Sequence, residues 1–391
     1  VSMRRTPLAI RNLTHQASRS LVSIGGLTLA ITLMFMQLGF LGAVGDTATV
    51  VYQRLPMDVL VRSPDYLHLF EPDSIDEGAV YALAAMPEVA EVRALDAVLA
   101  PWQNPETFET RAIAAIGLDP PRPGVVLPEL SEKLRRLSSP EFVLVDRASR
   151  EEFGPASGVR FGVDDVGRTA EVSGRRVRIV GTFEMGTGLA AAGAMVLNRE
   201  GFRRISPLPH EDRASLLLVR LQPGIDADRG RDAVAEALAR SDYRGLEVLT
   251  ASEAMWLERM RWYTETPIGL IFAMGVGLAV VVGGVICYMV LSADVLAKLP
   301  EYATLKAIGY SNAFLNRTLL WQSLLMAAAA FLPALGISLG LYSLTSELAA
   351  VPIRMTPERI VLVAAMSVAM CMAAGLIALR KLSRAEPASL F

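Results

Sequence analysis

The chain has little of what active sites are commonly built from. Its 391 residues include 2 cysteines and 3 histidines, and both cysteines, Cys287 and Cys371, fall inside long apolar runs. The polar part of the chain therefore has no thiol for a disulfide or a zinc site, and His15, His68 and His210 are scattered without metal-ligand spacing. There is no G-x-S-x-G, no H-E-x-x-H, and no pairing of His with Cys or Ser placed by spacing. Gly162 to Thr169 has the G-x-x-x-x-G spacing of a phosphate loop, but Arg168 stands where the motif needs Lys, and Asp164 and Asp165 sit inside the would-be anion cradle. We read it as a turn. Glu71, Asp73, Asp76 and Glu77 lack the ligand order of a calcium loop and read as a solvated acidic stretch before a helix. Charge of either sign is also not in excess. The 38 Lys and Arg against 40 Asp and Glu give a net charge of −2, with no long basic run, which argues against a nucleic-acid binder.

What the chain does have is apolar length. At 52% hydrophobic and 20% charged residues it is too apolar for an ordinary soluble protein and too charged for one wholly in lipid. Four runs can each cross a hydrocarbon layer of about 30 Å at about 1.5 Å per residue. They are residues 21–45, 267–291, 318–342 and 360–379, and none carries Asp, Glu, Lys or Arg between its ends. An ion-coupled carrier generally keeps ionisable groups inside its spans, so a secondary transporter is disfavoured. Gly336 and Gly340 have a G-x-x-x-G spacing that permits close helix packing within or between chains. Residues 1–20 hold Arg4, Arg5, Arg11 and Arg19 and no acid, with Ala9, Leu13, Ala17 and Leu21 at four-residue intervals, as in an amphipathic helix lying in the membrane interface.

Lys and Arg are more numerous in residues 1–20, in the 292–317 loop (Lys298, Lys306, Arg317) and in the 380–391 tail (Arg380, Lys381, Arg384) than in the 343–359 loop, which has Arg354 and Arg359 alone. By the positive-inside rule this predicts cytoplasmic termini and a cytoplasmic 292–317 loop, with residues 46–266 and 343–359 outside. The expected fold class is thus a membrane α-helical protein with four transmembrane helices and a large extracytoplasmic α+β domain inserted between helices 1 and 2. Within the insert, strands are expected at 57–62, 89–99, 107–116, 142–145, 175–183, 194–197, 216–221 and 246–249, and helices near 74–85, 128–136 and 226–239. Gly and Pro clusters at 117–124 and 154–174 suggest the boundaries of a second lobe. Thr250 and Glu253 form a capping-box pattern opening a helix on which Trp256, Met260 and Tyr263 fall along one face up to Pro267. On the entry side Val44 to Leu55 has no Pro and no Gly after Gly45, so the first span extends outward as well. Both ends of the insert therefore read as helical stalks, with Leu55, Trp256, Met260 and Tyr263 as stalk residues.

Between the second and third spans, Lys298 to Gly309 reads as a short capped helix. Pro300 suits its first position and Gly309 the residue past its end, while Glu301 and Lys306 sit where the helix's partial charges favour them. Tyr302, Leu305 and Ile308 supply an apolar and aromatic face. Leu8-Ala9-Ile10-Arg11-Asn12-Leu13, one span, a large insert and three further spans together resemble the FtsX/MacB-like permease superfamily of ABC transporters. The run Leu299 to Tyr310 looks most like the DevC family. That resemblance implies that Pro300, Glu301, Tyr302, Ala303, Thr304, Leu305, Lys306, Ala307, Ile308 and Gly309 form the coupling helix that docks on an ATPase. It implies a homodimer of permease chains in the bacterial inner membrane, bound to a pair of separate cytoplasmic ABC ATPases. It also implies a periplasmic membrane-fusion adaptor, a TolC-like outer-membrane channel, and mechanotransmission of ATP-driven motion to the periplasmic domain. No cofactor is expected on this chain, ATP and Mg belonging to the ATPase, and no catalysis is expected of it. The alternatives are an FtsX-like transducer that activates a periplasmic hydrolase and a LolC/LolE-like lipoprotein extractor.

Overall fold

The computed structural model describes residues 17–119, 133–186, 192–206, 212–297, 312–349 and 353–383. The chain divides into two compact units, Val1–Gly42 with Pro267–Phe391, and Ala43–Thr266.

The first unit holds the long apolar helices: most of α1 (Ala17–Ala48), α7 (Pro267–Ala297), α8 (Asn312–Ala349) and α9 (Pro357–Ser383). Four stretches of them, Ile24–Ala48, Pro267–Ala293, Leu320–Leu348 and Pro357–Ile377, are long and apolar enough to span a membrane. These differ from the expected spans by a few residues, chiefly because regular backbone continues past the apolar run into polar sequence. Leu27, Ile31, Met34 and Phe35 of α1 meet Cys287, Ala330, Val363 and Cys371 of the other three helices in one buried cluster. Small residues set the spacing there: a Cβ on Gly283 would stand 2.9 Å from that of Ala30, and one on Gly26 3.1 Å from Ile286. Gly336 and Gly340 have nothing within 4 Å of a built Cβ, so their spacing is not used within this chain among the described residues. A membrane interior leaves no water for polar groups, and two of the buried hydroxyls here reach backbone on another helix: Thr28 the Ala330 carbonyl at 3.3 Å, and Tyr342 that of Phe35.

The second unit is a mixed sheet with helices. Its elements are α2 (Val50–Arg54), β1 (Val59–Arg62), β2 (Ile75–Asp76), α3 (Ala79–Ala84), β3 (Val89–Gln103), β4 (Thr110–Leu118), β5 (Phe142–Asp146), β6 (Thr169–Val172), β7 (Arg175–Phe183), β8 (Ala194–Leu197), α4 (Arg199–Ile205), β9 (Arg213–Ala214), β10 (Leu216–Leu221), α5 (Ala227–Ala239), β11 (Glu247–Thr250) and α6 (Ala251–Thr264). Nine strands form one sheet in the order β11-β1-β10-β3-β4-β8-β5-β7-β6, with β6 also paired to β3.

Two architectures share that sheet. β1–α3–β3 and β10–α5–β11 are two β–α–β units whose strands lie in the order β11-β1-β10-β3, the arrangement of a split βαβ, ferredoxin-like fold. Val59 and Val61 of β1 and Leu217 and Val219 of β10 point to one face, where Ala79 and Leu83 of α3 and Val234 and Leu238 of α5 cover them. Leu60, Leu216 and Leu218 point to the other face, in a core shared with Val51 and Tyr52 of α2, Leu55 just past its end, and Ala254 of α6.

The remaining strands curl until β6 returns to β3, Trp102 facing Val172 and Gln103 facing Glu171. A ring of six strands, β3-β4-β8-β5-β7-β6, results. Alternate residues of each strand enter its core: Val98, Ala100 and Trp102; Ile113 and Ala115; Met195 and Leu197; Val143 and Val145; Val177 and Ile179; Ala170 and Val172. This second lobe runs from β4 to α4, which corrects the boundaries expected at 117–124 and 154–174. The long β3–β4 hairpin passes from one lobe into the other, and the 154–174 stretch lies inside the ring lobe as turns and β6. Glycine and proline there mark tight turns within a lobe and not a linker. Other departures are local. Ile75–Asp76 is a strand and α3 begins at Ala79, while β6 and α4, absent from the sequence reading, are too short to show a period.

Candidate functional site

The chain enters the second unit through the end of α1 and leaves it through α6. Thr250 opens α6 with the expected capping box, its hydroxyl taking the Glu253 N–H at 3.2 Å while the Glu253 carboxylate takes the Thr250 N–H at 2.8 Å. Backbone bonding turns at Thr49, α2 adds one and a half turns, and Leu55 is extended before Pro56. Arg259 of α6 meets Asp46 of α1 at 3.0 Å. Beside this pair a Cβ on Gly45 would collide with Tyr263 and with Cγ of Arg259, so only glycine lets the two helices come this close.

Deeper in, Ala254, Glu258 and Trp262 form the buried face of α6, one residue per turn. Glu258 is 0% exposed. Its Oε2 takes the Tyr66 hydroxyl hydrogen at 2.6 Å, and its Oε1 takes the Leu69 N–H and the Trp262 Nε1–H, each at 3.1 Å. The Tyr66 oxygen lies 2.6 Å from the Tyr52 oxygen on α2. A continuous polar chain thus ties α2, the 63–73 loop and α6 together. The Arg62 guanidinium stacks over the Tyr66 ring, 4.4 Å from its centroid, and bonds Glu247 through Nε at 2.6 Å. Its two terminal nitrogens are buried without a hydrogen-bond partner among the described residues. Arg261 binds the carbonyls of Tyr66 and Leu67. Burial pushes the Glu258 carboxyl above the ordinary carboxylate range, against its hydrogen bonds, which pull the other way. Burial also raises both tyrosine hydroxyls, so they stay protonated and act as donors.

Of the stalk residues read from the sequence, Leu55 is buried in the core beneath α2, Tyr263 packs at Gly45, Met260 is half-buried, and Trp256 is 60% exposed. The face of α6 that packs is therefore turned from the Trp256–Met260–Tyr263 line. An acid on a helix next to apolar positions reads as solvated, which hid Glu258. Its spacing of four from both Ala254 and Trp262 was the available signal. Pro300 to Gly309 lie outside the described residues, as does the basic 1–16 segment.

No chemistry assembles elsewhere among the described residues. The Gly162–Gly167 turn is closed by Asp165, whose carboxylate takes the N–H groups of Ala156 at 2.7 Å and Gly162 at 2.8 Å and pairs with Arg168 at 2.9 Å. An acid fills the place a phosphate needs. The acids of the 71–77 stretch diverge, Asp73 toward Ser63, Asp76 toward the Gly78 N–H and Glu77 toward Arg199 and Arg203. No group of His, Cys, Asp and Glu suited to a metal occurs among the described residues.

Residues 273–387 match the family of FtsX-like permease C-terminal domains. Among solved structures, the periplasmic region of MacB from Actinobacillus actinomycetemcomitans is similar at 8% identity, over 51% of this chain and 90% of that one, with a TM-score of 0.36. The extracellular domain of the ABC-type transporter YknZ from Gram-positive bacteria is similar at 14% identity, over 50% of this chain and 98% of that one, with a TM-score of 0.33. No match was found among curated protein sequences.

Proposed function

Because residues 273–387 match the family of FtsX-like permease C-terminal domains, we propose that this chain is the membrane subunit of a MacB/DevC-like ABC exporter. In this reading it takes no part in ATP chemistry. Two permease chains pair in the bacterial inner membrane with both termini cytoplasmic, and two copies of a separate ATPase dock on Pro300–Gly309. Motion of that helix passes along α7 into α6, and through α1 into α2, and so moves the external unit. The external unit works with a periplasmic membrane-fusion adaptor and a TolC-like channel.

The observation that carries the reading is the tie between the two connecting helices. Both of the external unit's links to membrane spans, α1–α2 and α6, are pinned together by Gly45, the Asp46–Arg259 pair and the Tyr52–Tyr66–Glu258 chain. A force on either link is then felt by the other, which suits a lever. Spans without internal charge suit a lever better than a polar conduit.

The reading is tested at the coupling helix. Tyr302→Asp and Leu305→Asp place a charge at expected interface anchors, which carry most of the binding energy of such contacts. The ATPase that copurifies with the wild-type chain should be lost and export should stop. Normal copurification and export in both variants would remove the coupling assignment.

A further inference from the structure

With Glu258 ionised, every hydrogen in the buried chain has an acceptor. Tyr66 O–H, Leu69 N–H and Trp262 Nε1–H are taken by the carboxylate. Since the single hydroxyl hydrogen of Tyr66 is committed there, Tyr52 is the donor in the 2.6 Å contact between the two tyrosines. The chain runs in one direction, from α2 to α6.

A proton on Glu258 adds one hydrogen and no acceptor beyond the Tyr52 oxygen. Oε1 already receives two N–H groups, so the new hydrogen sits on Oε2 and is donated to the Tyr66 oxygen. Tyr66 then turns its own hydrogen to Tyr52. The Tyr52 hydrogen, on a side chain 3% exposed, is left without an acceptor among the described residues. A buried donor without a partner is costly, and the cost is relieved by moving α2 until that hydroxyl reaches water.

We propose that Glu258 is a proton-responsive latch for α2: ionised, it holds α2 through Tyr66 and Tyr52; protonated, it reverses the hydrogen-bond chain and releases α2. The surrounding charges set the balance. Arg62 of β1, held by Glu247 of β11, and Arg261 on α6 itself favour the ionised form. His68 of the 63–73 loop lies with its ring 5.5 Å from that of Trp262, accepts the Phe70 N–H at Nδ1 and faces Glu71 at 3.7 Å. A proton on His68 also favours the ionised form. Burial opposes all three, but Tyr66, Leu69 and Trp262 cover the carboxylate whether or not α2 is held, so burial sets where Glu258 titrates relative to the unfolded chain and not which form holds α2. The latch rests on geometry within the external unit, and its bearing on export rests on the lever reading above.

The test is hydrogen–deuterium exchange of the full chain in detergent micelles, from neutral pH down through the carboxylate range and corrected for the intrinsic pH dependence of exchange. Peptides covering α2 should exchange about tenfold faster on acidification, the local opening having become cheaper by that factor. Glu258→Gln, whose amide supplies a hydrogen where the protonated acid does, should exchange fast at every pH. His68→Gln should keep the wild-type response. Peptides from β7 should stay slow throughout, which separates local release from unfolding. A flat wild-type profile at α2, or a response that survives Glu258→Gln, overturns the latch. No ATPase enters the measurement, so its outcome and that of the coupling-helix test fail separately.

Discussion

A Cβ built on Gly45 would stand 2.8 Å from Cγ of Arg259, with the Tyr263 hydroxyl nearer still. The end of α1 and the body of α6 therefore touch with nothing but a hydrogen atom between backbone and side chain. Gly45→Val should wedge them apart and cost about 1–3 kcal/mol, as other overpacked contacts do, while Gly45→Ala should cost less because it adds one carbon where valine adds three. Thermal unfolding of the chain in detergent measures both. Equal stability of Gly45→Val and the native chain would mean the helices are not held at this contact.

The same approach makes a cross-link. Gly45→Cys with Arg259→Cys puts one sulfur where Cγ of Arg259 now stands, 2.8 Å from the Cβ of position 45, which is within the reach of a disulfide. Mild oxidation should close the bond in nearly all molecules, leave assembly with the ATPase intact and stop export. Leu55→Cys with Trp256→Cys is the comparison pair and should not close, because Leu55 is buried and Trp256 is 60% exposed on another face of α6. Undiminished export after full closure at 45 and 259 would count against the lever.

Arg199 ties the two lobes of the second unit. It pairs with Asp96 on β3 at 2.7 Å, with Glu77 before α3, and with the Arg213 carbonyl at 3.0 Å. Asp96 is 1% exposed and also takes the Ser215 N–H at 3.1 Å. Arg199→Met leaves that carboxylate buried without its cation, a change that typically costs about 3–5 kcal/mol. Adding Asp96→Asn should recover part of the loss. Equal instability of the single and double variants would show that volume, not charge, decides the site.

Two glutamates on α6 should bend the pH dependence of stability in opposite senses. Burial raises the pKa of Glu258, so between the ordinary carboxylate value and the raised one the folded chain binds a proton that the unfolded chain does not, and stability falls as pH rises through that window. The Thr250 N–H bond, chiefly, lowers that of Glu253, whose contribution is present above the ordinary value and is lost as pH falls through the lowered one. The difference in unfolding temperature between wild type and Glu258→Gln should decline with rising pH and then level. For Glu253→Gln the difference should grow with rising pH and then level. Parallel curves would refute the assignment for one of them.

The contrast between the two glutamates also shows what was legible in the sequence. Glu253 was found because a capping box is local: donor and acceptor lie three residues apart and the helix start brings them together. Glu258 was missed because its partners, Tyr66 and Leu69, lie 192 and 189 residues away. The strand cores followed the same division. Ala194–Leu197 and Leu216–Leu221 were read at their full extent from apolar composition. That β6 closes a ring on β3 was not, since pairing Trp102 with Val172 depends on how far the intervening sheet curls.

The sequence by itself determined four helices long enough to cross a membrane, the polar domain between the first and second, and the capped start of α6. Each follows from interactions within one segment: apolar length against lipid, polar sequence against water, a side chain against its own helix end. Only the tertiary structure decided which face of α6 is buried, which glycines bring helices together, and that an acid in the middle of a helix is the hub of a buried chain. Those outcomes depend on which distant surfaces meet, and burial, the term that reverses the cost of a charge, is a property of the meeting and not of either segment.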